Sequence, residues 1–276
     1  MMLHTMTRTL AGAAVLLLSS QAALAHHPWL LPNQTLLDGK DAAVAIDAAA
    51  SEDLFEFDTR GLPLDSLVVT GPDGSKIEPR AVNTSSRHRS SFELNLDQPG
   101  TYRVASVSQG VMASYKLGNE TKRFRGSQQD WDKERPPQAE EVRVTRLSNR
   151  IETFVARDKP SDKPFAAVGQ GLELIPLDAP VDLSDGDRTR FRLLLDGQPL
   201  VDAAISLMRG GNRYRYKMGE QTLRSDGRGE FAVAWTEPGR YWLGVNHSVS
   251  ADGAATPSQA PQRRFSYSAT FEVRPR

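Results

Sequence analysis

The chain contains no cysteine among its 276 residues. A disulfide framework, a thiolate nucleophile, an iron–sulfur cluster and a zinc finger are therefore excluded. Exported proteins are free to form disulfides, so an exported chain without them must be stabilised by its apolar cores. A metal ion would have to be held by histidine, carboxylate, methionine sulfur, backbone or a terminal amine.

A net charge is also missing, because 34 basic residues balance 34 acidic ones. Nucleic-acid binding draws on a basic excess that neutralises phosphates, and the composition shows none. Catalytic motifs are absent too: the sequence has no Gly-x-Ser-x-Gly, no glycine-rich phosphate loop and no Gly-x-Gly-x-x-Gly. We therefore expect neither a nucleic-acid partner nor an enzyme.

Long apolar runs are missing after residue 25. The apolar stretch at residues 10–18 is shorter than the roughly 20 residues that a membrane-spanning helix needs. It follows Arg8 and precedes Ala23 and Ala25, small residues of the kind that signal peptidase requires. We expect residues 1–25 to be a signal peptide cut after Ala25, with no lipidated cysteine. The mature protein would then be periplasmic and would have no membrane span.

What the chain does contain is alternating apolar and polar residues between Pro-Gly and Asp-Gly turns. Residues 90–108 alternate on both sides of Pro99-Gly100, which predicts a half-buried hairpin. The segment "FELNLDQPGTYRVAS" from Phe92 aligns without a gap on "FAVAWTEPGRYWLGV" from Phe231. Two similar units explain this alignment, although convergence on a common turn would also produce it. We predict an all-β chain of two β-sandwich domains, at residues 26–160 and 168–276.

A polar stretch, residues 116–148, interrupts this pattern in the first domain. We interpret it as an insertion that forms either an extended loop or a short helix. Glu140, Glu141, Arg143 and Arg146 would share such a helix. An edge strand is expected directly afterwards, at residues 150–156.

Histidine is scarce, yet His26 and His27 lie side by side directly after the expected cut. The new α-amine of His26, with a usual pKa near 7.7–8.0, and its ring Nδ1 could chelate one metal ion together. Another imidazole would complete a nitrogen-rich site of the kind that suits copper(II) or nickel(II). His247, at the end of a predicted strand, is the favoured partner, and His27 and His88 are weaker candidates. The alternative is a terminal pair that is frayed and binds nothing.

Four motifs carry a resemblance to a known family: "AHHPWLLP", "GLELIPLDAP", "LLDGQPLVDAAISL" and "SDGRGEFAVAWTEPGRYWLGVNH". They resemble the domain-of-unknown-function 4198 family, exported bacterial proteins associated with nickel and cobalt uptake. The resemblance implies Ig-like or carboxypeptidase-regulatory-like sandwiches, with His26 and His247 as metal ligands. The expected function is periplasmic binding of nickel or cobalt, or of copper, in support of a membrane uptake transporter. A structural or ligand-binding sandwich module without a metal is the alternative.

Overall fold

The structure is a computed structural model, and it describes residues 26–161, 165–216, 219–250 and 262–276. The expected signal peptide, residues 1–25, lies outside the described residues. Nearly all of the regular structure is strand, so the prediction of an all-β sandwich protein is confirmed. In the part of the chain that is described, no helix is long and apolar enough to cross a membrane.

The first half consists of strands and one short helix. In chain order they are β1 (His27–Pro32), β2 (Leu36–Leu37), β3 (Ala43–Ser51), β4 (Arg60–Gly61), β5 (Leu67–Thr70), β6 (Lys76–Ile77), β7 (Arg80–Asn83), β8 (Ser90–Asn95), β9 (Gly100–Leu117), β10 (Glu120–Gly126) and β11 (Glu140–Arg157). The helix α1 (Gln128–Glu134) lies between β10 and β11.

The second half continues the strand series. Its elements are β12 (Leu172–Pro176), β13 (Leu183–Ser184), β14 (Arg188–Leu195), β15 (Gln198–Pro199), β16 (Ala204–Arg209), a 3-10 turn (Asn212–Tyr214), β17 (Gln221–Arg224), β18 (Glu230–Ala234), β19 (Gly239–Val249) and β20 (Arg263–Arg274).

These strands form a first sheet, a long sheet and a third sheet. The first sheet has the order β1-β3-β8-β7, with β4 on β3, and the third has the order β12-β14-β15, with β18 on β14. The long sheet has the order β17-β16-β19-β20-β11-β9-β5-β6, and β10, β13 and β2 pair along it. Its two halves meet where β11 pairs in parallel with β20, from Arg146 to Thr153. One sheet therefore runs through both predicted domains.

The two main cores lie on opposite faces of this long sheet. Successive residues of a strand point to opposite sides, so Val155 enters the core under the first sheet while Phe154 enters the core under the third sheet. A strand that is covered on both faces has a nearly continuous buried run, as residues 150–156 do. The prediction of an edge strand here is wrong, because β11 lies between β9 and β20.

The two Pro-Gly turns connect different sheets. Strand β8 pairs with β3 in the first sheet, whereas β9 pairs with β11 in the long sheet. Pro99-Gly100 is therefore a corner between sheets, and the predicted hairpin is wrong. Pro238-Gly239 makes the equivalent corner between β18 and β19. Both glycines have positive φ, 122° at Gly100 and 147° at Gly239, which a residue with a side chain rarely adopts.

A tyrosine locks each corner in the same way. The hydroxyl of Tyr102 donates to the carbonyl oxygen of Gln98 at 2.8 Å, and that of Tyr241 donates to the carbonyl oxygen of Glu237 at 2.7 Å. Both tyrosine rings are buried, one in each core. The repeat seen in the sequence is thus a repeat of a hydrogen-bonded corner, like the tyrosine corner of immunoglobulin-type sandwiches.

The polar insertion is an arm built on the ends of β9 and β11. Strand β10 pairs with β9, and α1 packs on one face of the arm through Trp131, which is 3% exposed. The predicted helix over residues 140–146 is wrong, because this segment is the start of β11. Val142 and Val144 alternate there and pack against the small cluster around Trp131.

A buried ionic cluster joins the strands at the centre of the long sheet. Glu152 is fully buried and accepts hydrogen bonds from Nε of Arg103 at 3.0 Å, from Nη1 of Arg150 at 2.9 Å and from the hydroxyl of Tyr267 at 2.6 Å. Burial, followed by the charge of Glu152, raises the pKa of Tyr267 well above its ordinary value. Strands β9, β11 and β20 are therefore tied together by one carboxylate.

Candidate functional site

The first described strand is anchored at the place where the two sandwiches meet. In β1, His27 lies opposite Ser51 of β3, and the indole of the fully buried Trp29 donates to the hydroxyl of Ser51 at 2.8 Å. The carbonyl oxygen of Pro28 accepts from the indole of Trp242 at 3.0 Å and from the hydroxyl of Ser268 at 2.9 Å. The backbone beside His26 is therefore held by β3, β19 and β20.

His27 is a half-buried ring with an unused nitrogen. Its ring meets that of Trp242 edge-on, with centroids 4.8 Å apart and an interplanar angle of 84°. Its Nδ1 is buried and has no hydrogen-bond partner among the described residues. Burial lowers the pKa of His27, and the backbone carbonyls of Ser51 and Glu52, which lie near the ring but outside hydrogen-bond geometry, and the charge of Glu220 partly oppose this effect. The ring is therefore neutral near pH 7, the form that can bind a metal ion.

Two carboxylates border the histidine pair. Nε2 of His26 lies 3.7 Å from Oε1 of Glu52, and both side chains are largely exposed. Glu220 raises the pKa of His27 through its charge, and its Oε1 accepts a hydrogen bond of 2.6 Å from the hydroxyl of Ser206. The rim around His26 and His27 is therefore electronegative, which favours a cation.

The predicted pairing of His26 with His247 is not formed. His247 alternates in phase with Val245 and Leu243, which point into the core under the third sheet. Trp242, which the ring of His27 contacts, points to the opposite face of β19. His247 is half-buried on its own face, and burial lowers its pKa. A strand cannot present both sets of side chains on one side, so His247 does not join the site.

His88 is also engaged elsewhere. Its Nδ1 lies 3.0 Å from the carbonyl oxygen of Thr59, so this nitrogen carries the proton and donates. The ring is exposed, and its neighbour Arg89 pairs with Asp47. The structure thus brings together His26 and His27, and it leaves out both His88 and His247.

No group of three or more histidine and carboxylate side chains is already placed to hold a metal ion within the described ranges. The donors beside His27 are Glu52, Glu220 and His26, of which Glu52 and His26 are exposed and free to reorient. Glu220 was not a candidate from the sequence. It lies far along the chain from His26 and carries no local signal, so only pairing of the strands could reveal it.

Comparison with known proteins gives a family but no function. No curated protein matches the chain. The D0-D1 domain of intimin is 11% identical, covering 88% of this chain and 97% of that one, with a TM-score of 0.21. The FN1-FN3 domains of chicken CNTN1 are 9% identical, covering 80% of this chain and 93% of that one, with a TM-score of 0.18. Likenesses this low carry no functional argument. The model of the domain of unknown function DUF4198 matches residues 23–249, and the chain belongs to that family.

Proposed function

We propose that the protein binds a divalent transition metal ion, nickel or cobalt or else copper, through His26 and His27. The observation that carries the proposal is the buried Nδ1 of His27, which lacks a partner next to His26. Buried polar atoms are nearly always hydrogen-bonded, so an unpaired ring nitrogen beside two carboxylates supports a site for a ligand. A metal ion supplies such a partner without requiring a proton.

The donor set suits such an ion. Cleavage after Ala25 would give His26 a free amine beside its own Nδ1, and Glu52 lies within reach of the His26 ring. A nitrogen of His27 would add a donor from a ring that is already neutral. Imidazole and amine nitrogens suit nickel and copper, and a carboxylate balances the charge of the ion. His27 therefore takes the place that the sequence assigned to His247.

The surrounding residues fix one side of the site and leave the other open. Trp29 and Trp242 hold β1 through their indole hydrogen bonds, and Trp242 also restricts the ring of His27. His26 stays exposed at the rim. An ion held there would be accessible to a membrane transporter, which fits a role in metal uptake.

The test is calorimetric titration of NiCl2, CoCl2 and CuCl2 into protein that begins at His26. Adding one methionine before His26 blocks the amine, and His27→Gln removes the second ring. Each of these two changes should weaken metal binding by more than about 10–100-fold, which is the usual effect of losing a residue that only positions a metal ligand. The electron paramagnetic resonance spectrum of bound copper(II) should show fewer coupled nitrogen atoms in both variants, because each variant removes one nitrogen ligand.

His88→Gln and His247→Gln are the matched controls, because each removes one imidazole outside the site. Neither should change the affinity or the copper spectrum. Unchanged binding in His27→Gln would contradict the proposal. Absence of binding to the unaltered protein starting at His26 would favour a structural or ligand-binding sandwich without a metal.

A further inference from the structure

The arm carries an unpaired arginine face. Arg123 and Arg125 of β10, Arg143 of β11 and Arg264 of β20 are exposed and line a groove of about 520 Å³. We call these four residues the arginine face. No carboxylate is among the described residues that line the groove.

Strand register places these side chains on one side of the sheet. Ser114 of β9 lies opposite Arg123 on one side and opposite Arg143 on the other, and Met112 lies opposite Arg125. Neighbouring strands are about 4.8 Å apart, so Arg123 and Arg143 are separated by roughly 10 Å across a small serine. Two guanidinium groups at this separation can converge on one phosphate above Ser114.

The four arginines have no ion-pair or side-chain hydrogen-bond partner in the part of the chain that is described. Some exposed arginines elsewhere pair with carboxylates, such as Arg190 with Asp178 and Arg192 with Glu230, whereas the arginine face brings four unpaired ones together. The acidic residues of the arm's helix, namely Asp130, Asp132 and Glu134, lie on α1, which packs on the opposite face. Positive charge on the arginine face is therefore not neutralised locally, although the protein as a whole has no net charge.

An apolar side chain lies among these cations. Met112 is 38% exposed on the same face. The groove is open to solvent on one side, so it does not enclose a soluble ligand. Guanidinium groups around an exposed apolar side chain match the layer of phosphates and upper acyl chains at a membrane surface.

We propose that the arginine face docks on a lipid surface rich in anionic phosphate headgroups. Arg123 and Arg143 would bind headgroup phosphates, and Met112 would insert between the headgroups towards the upper acyl chains. The proposal does not depend on metal binding.

The test is co-sedimentation with vesicles of phosphatidylcholine alone and of equal parts phosphatidylcholine and phosphatidylglycerol. The protein should bind only the second kind, and salt should weaken binding because screening shortens the reach of the charges. Each arginine near an anionic surface contributes about fivefold, so Arg123→Gln with Arg143→Gln should lower partitioning roughly 25-fold. Thermal unfolding would show that the variant remains folded.

Arg188→Gln with Arg228→Gln is the matched control, since it makes the same change in net charge on exposed residues of the second sandwich. Its binding should stay within about twofold of the unaltered protein. An equal loss of vesicle binding in both double variants, or equal binding of the unaltered protein to both kinds of vesicle, would overturn the proposal. So would calorimetric binding of soluble pyrophosphate at the arginine face without any binding to vesicles.

Discussion

Replacing Glu152 by glutamine should destabilise the protein strongly. The carboxylate accepts hydrogen bonds from Arg103, Arg150 and Tyr267 in the centre of the long sheet. Glutamine keeps the shape of the side chain but removes its charge, and it exchanges one acceptor oxygen for a donor. Two guanidinium groups would then remain buried without the carboxylate that binds them both.

The expected loss of stability is large because little solvent reaches this cluster. The side chains of Glu152, Arg103 and Arg150 are 0%, 5% and 9% exposed, so water cannot replace the lost charge. Removing one partner of a buried ion pair costs about 3–5 kcal/mol. For a protein of this size, each kcal/mol lowers the melting temperature by about 2–4 °C, so we expect a fall of roughly 6–20 °C.

Urea unfolding followed by tryptophan fluorescence, together with calorimetry, measures this loss. Arg190→Gln is the control, because it breaks a surface pair in which Arg190 is 60% exposed, and such pairs contribute less than about 1 kcal/mol. If Glu152→Gln were no more destabilising than this control, the cluster would not be what holds the centre of the sheet.

Two other predictions concern the corners and the half-buried histidines. Tyr102→Phe should cost about 1–2 kcal/mol in urea unfolding and Tyr241→Phe about 1 kcal/mol, because the hydroxyl of Tyr102 also accepts from the backbone N–H of Gln98. A larger loss at Tyr241 would contradict this order. Burial lowers the pKa of His27 and His247, so their contribution to stability is complete above pH 6.5 and decreases as the pH falls through that value. Replacing both with glutamine should make the free energy of unfolding less dependent on pH between pH 7 and 5. An unchanged dependence would show that these two histidines do not cause it.

The alternation of apolar residues predicted the class of fold, but it did not predict which sheet each strand joins. A hairpin and a corner between sheets both need two amphipathic strands around a tight turn, and Pro99-Gly100 is compatible with either. Pairing partners depend on contacts far along the chain. Tyr102 and Tyr241 make the same hydrogen bond, so the similarity in the sequence corresponds to a repeated corner, although the predicted hairpin was wrong.

Strand β11 was misplaced for a related reason. Arg150 and Glu152 interrupt its apolar run, so residues 150–156 have the pattern of a strand at a sheet edge. In the fold these charges neutralise each other inside the protein. Sequence alone gives no sign that Arg103 and Tyr267 complete the cluster.

The sequence indicated His26 and His27 as candidates through their position after a small-residue motif, and their role as metal ligands stays a prediction. His247 is in phase with Val245 and Leu243, the apolar set of its strand, but its exclusion rests on the contact of His27 with Trp242, which the sequence does not show. Glu220 could not have been found from the sequence, because only the fold brings it near enough to His27 for its charge to raise the pKa of that ring.

The parallel pairing of β11 with β20 joins the two sandwiches through one continuous sheet. Cutting the chain after residue 161 would strip the backbone partners from Arg146–Thr153 and leave a bare edge on each fragment. Exposed edges of this length recruit other chains and aggregate. We therefore expect neither sandwich to be stable when it is expressed without the other.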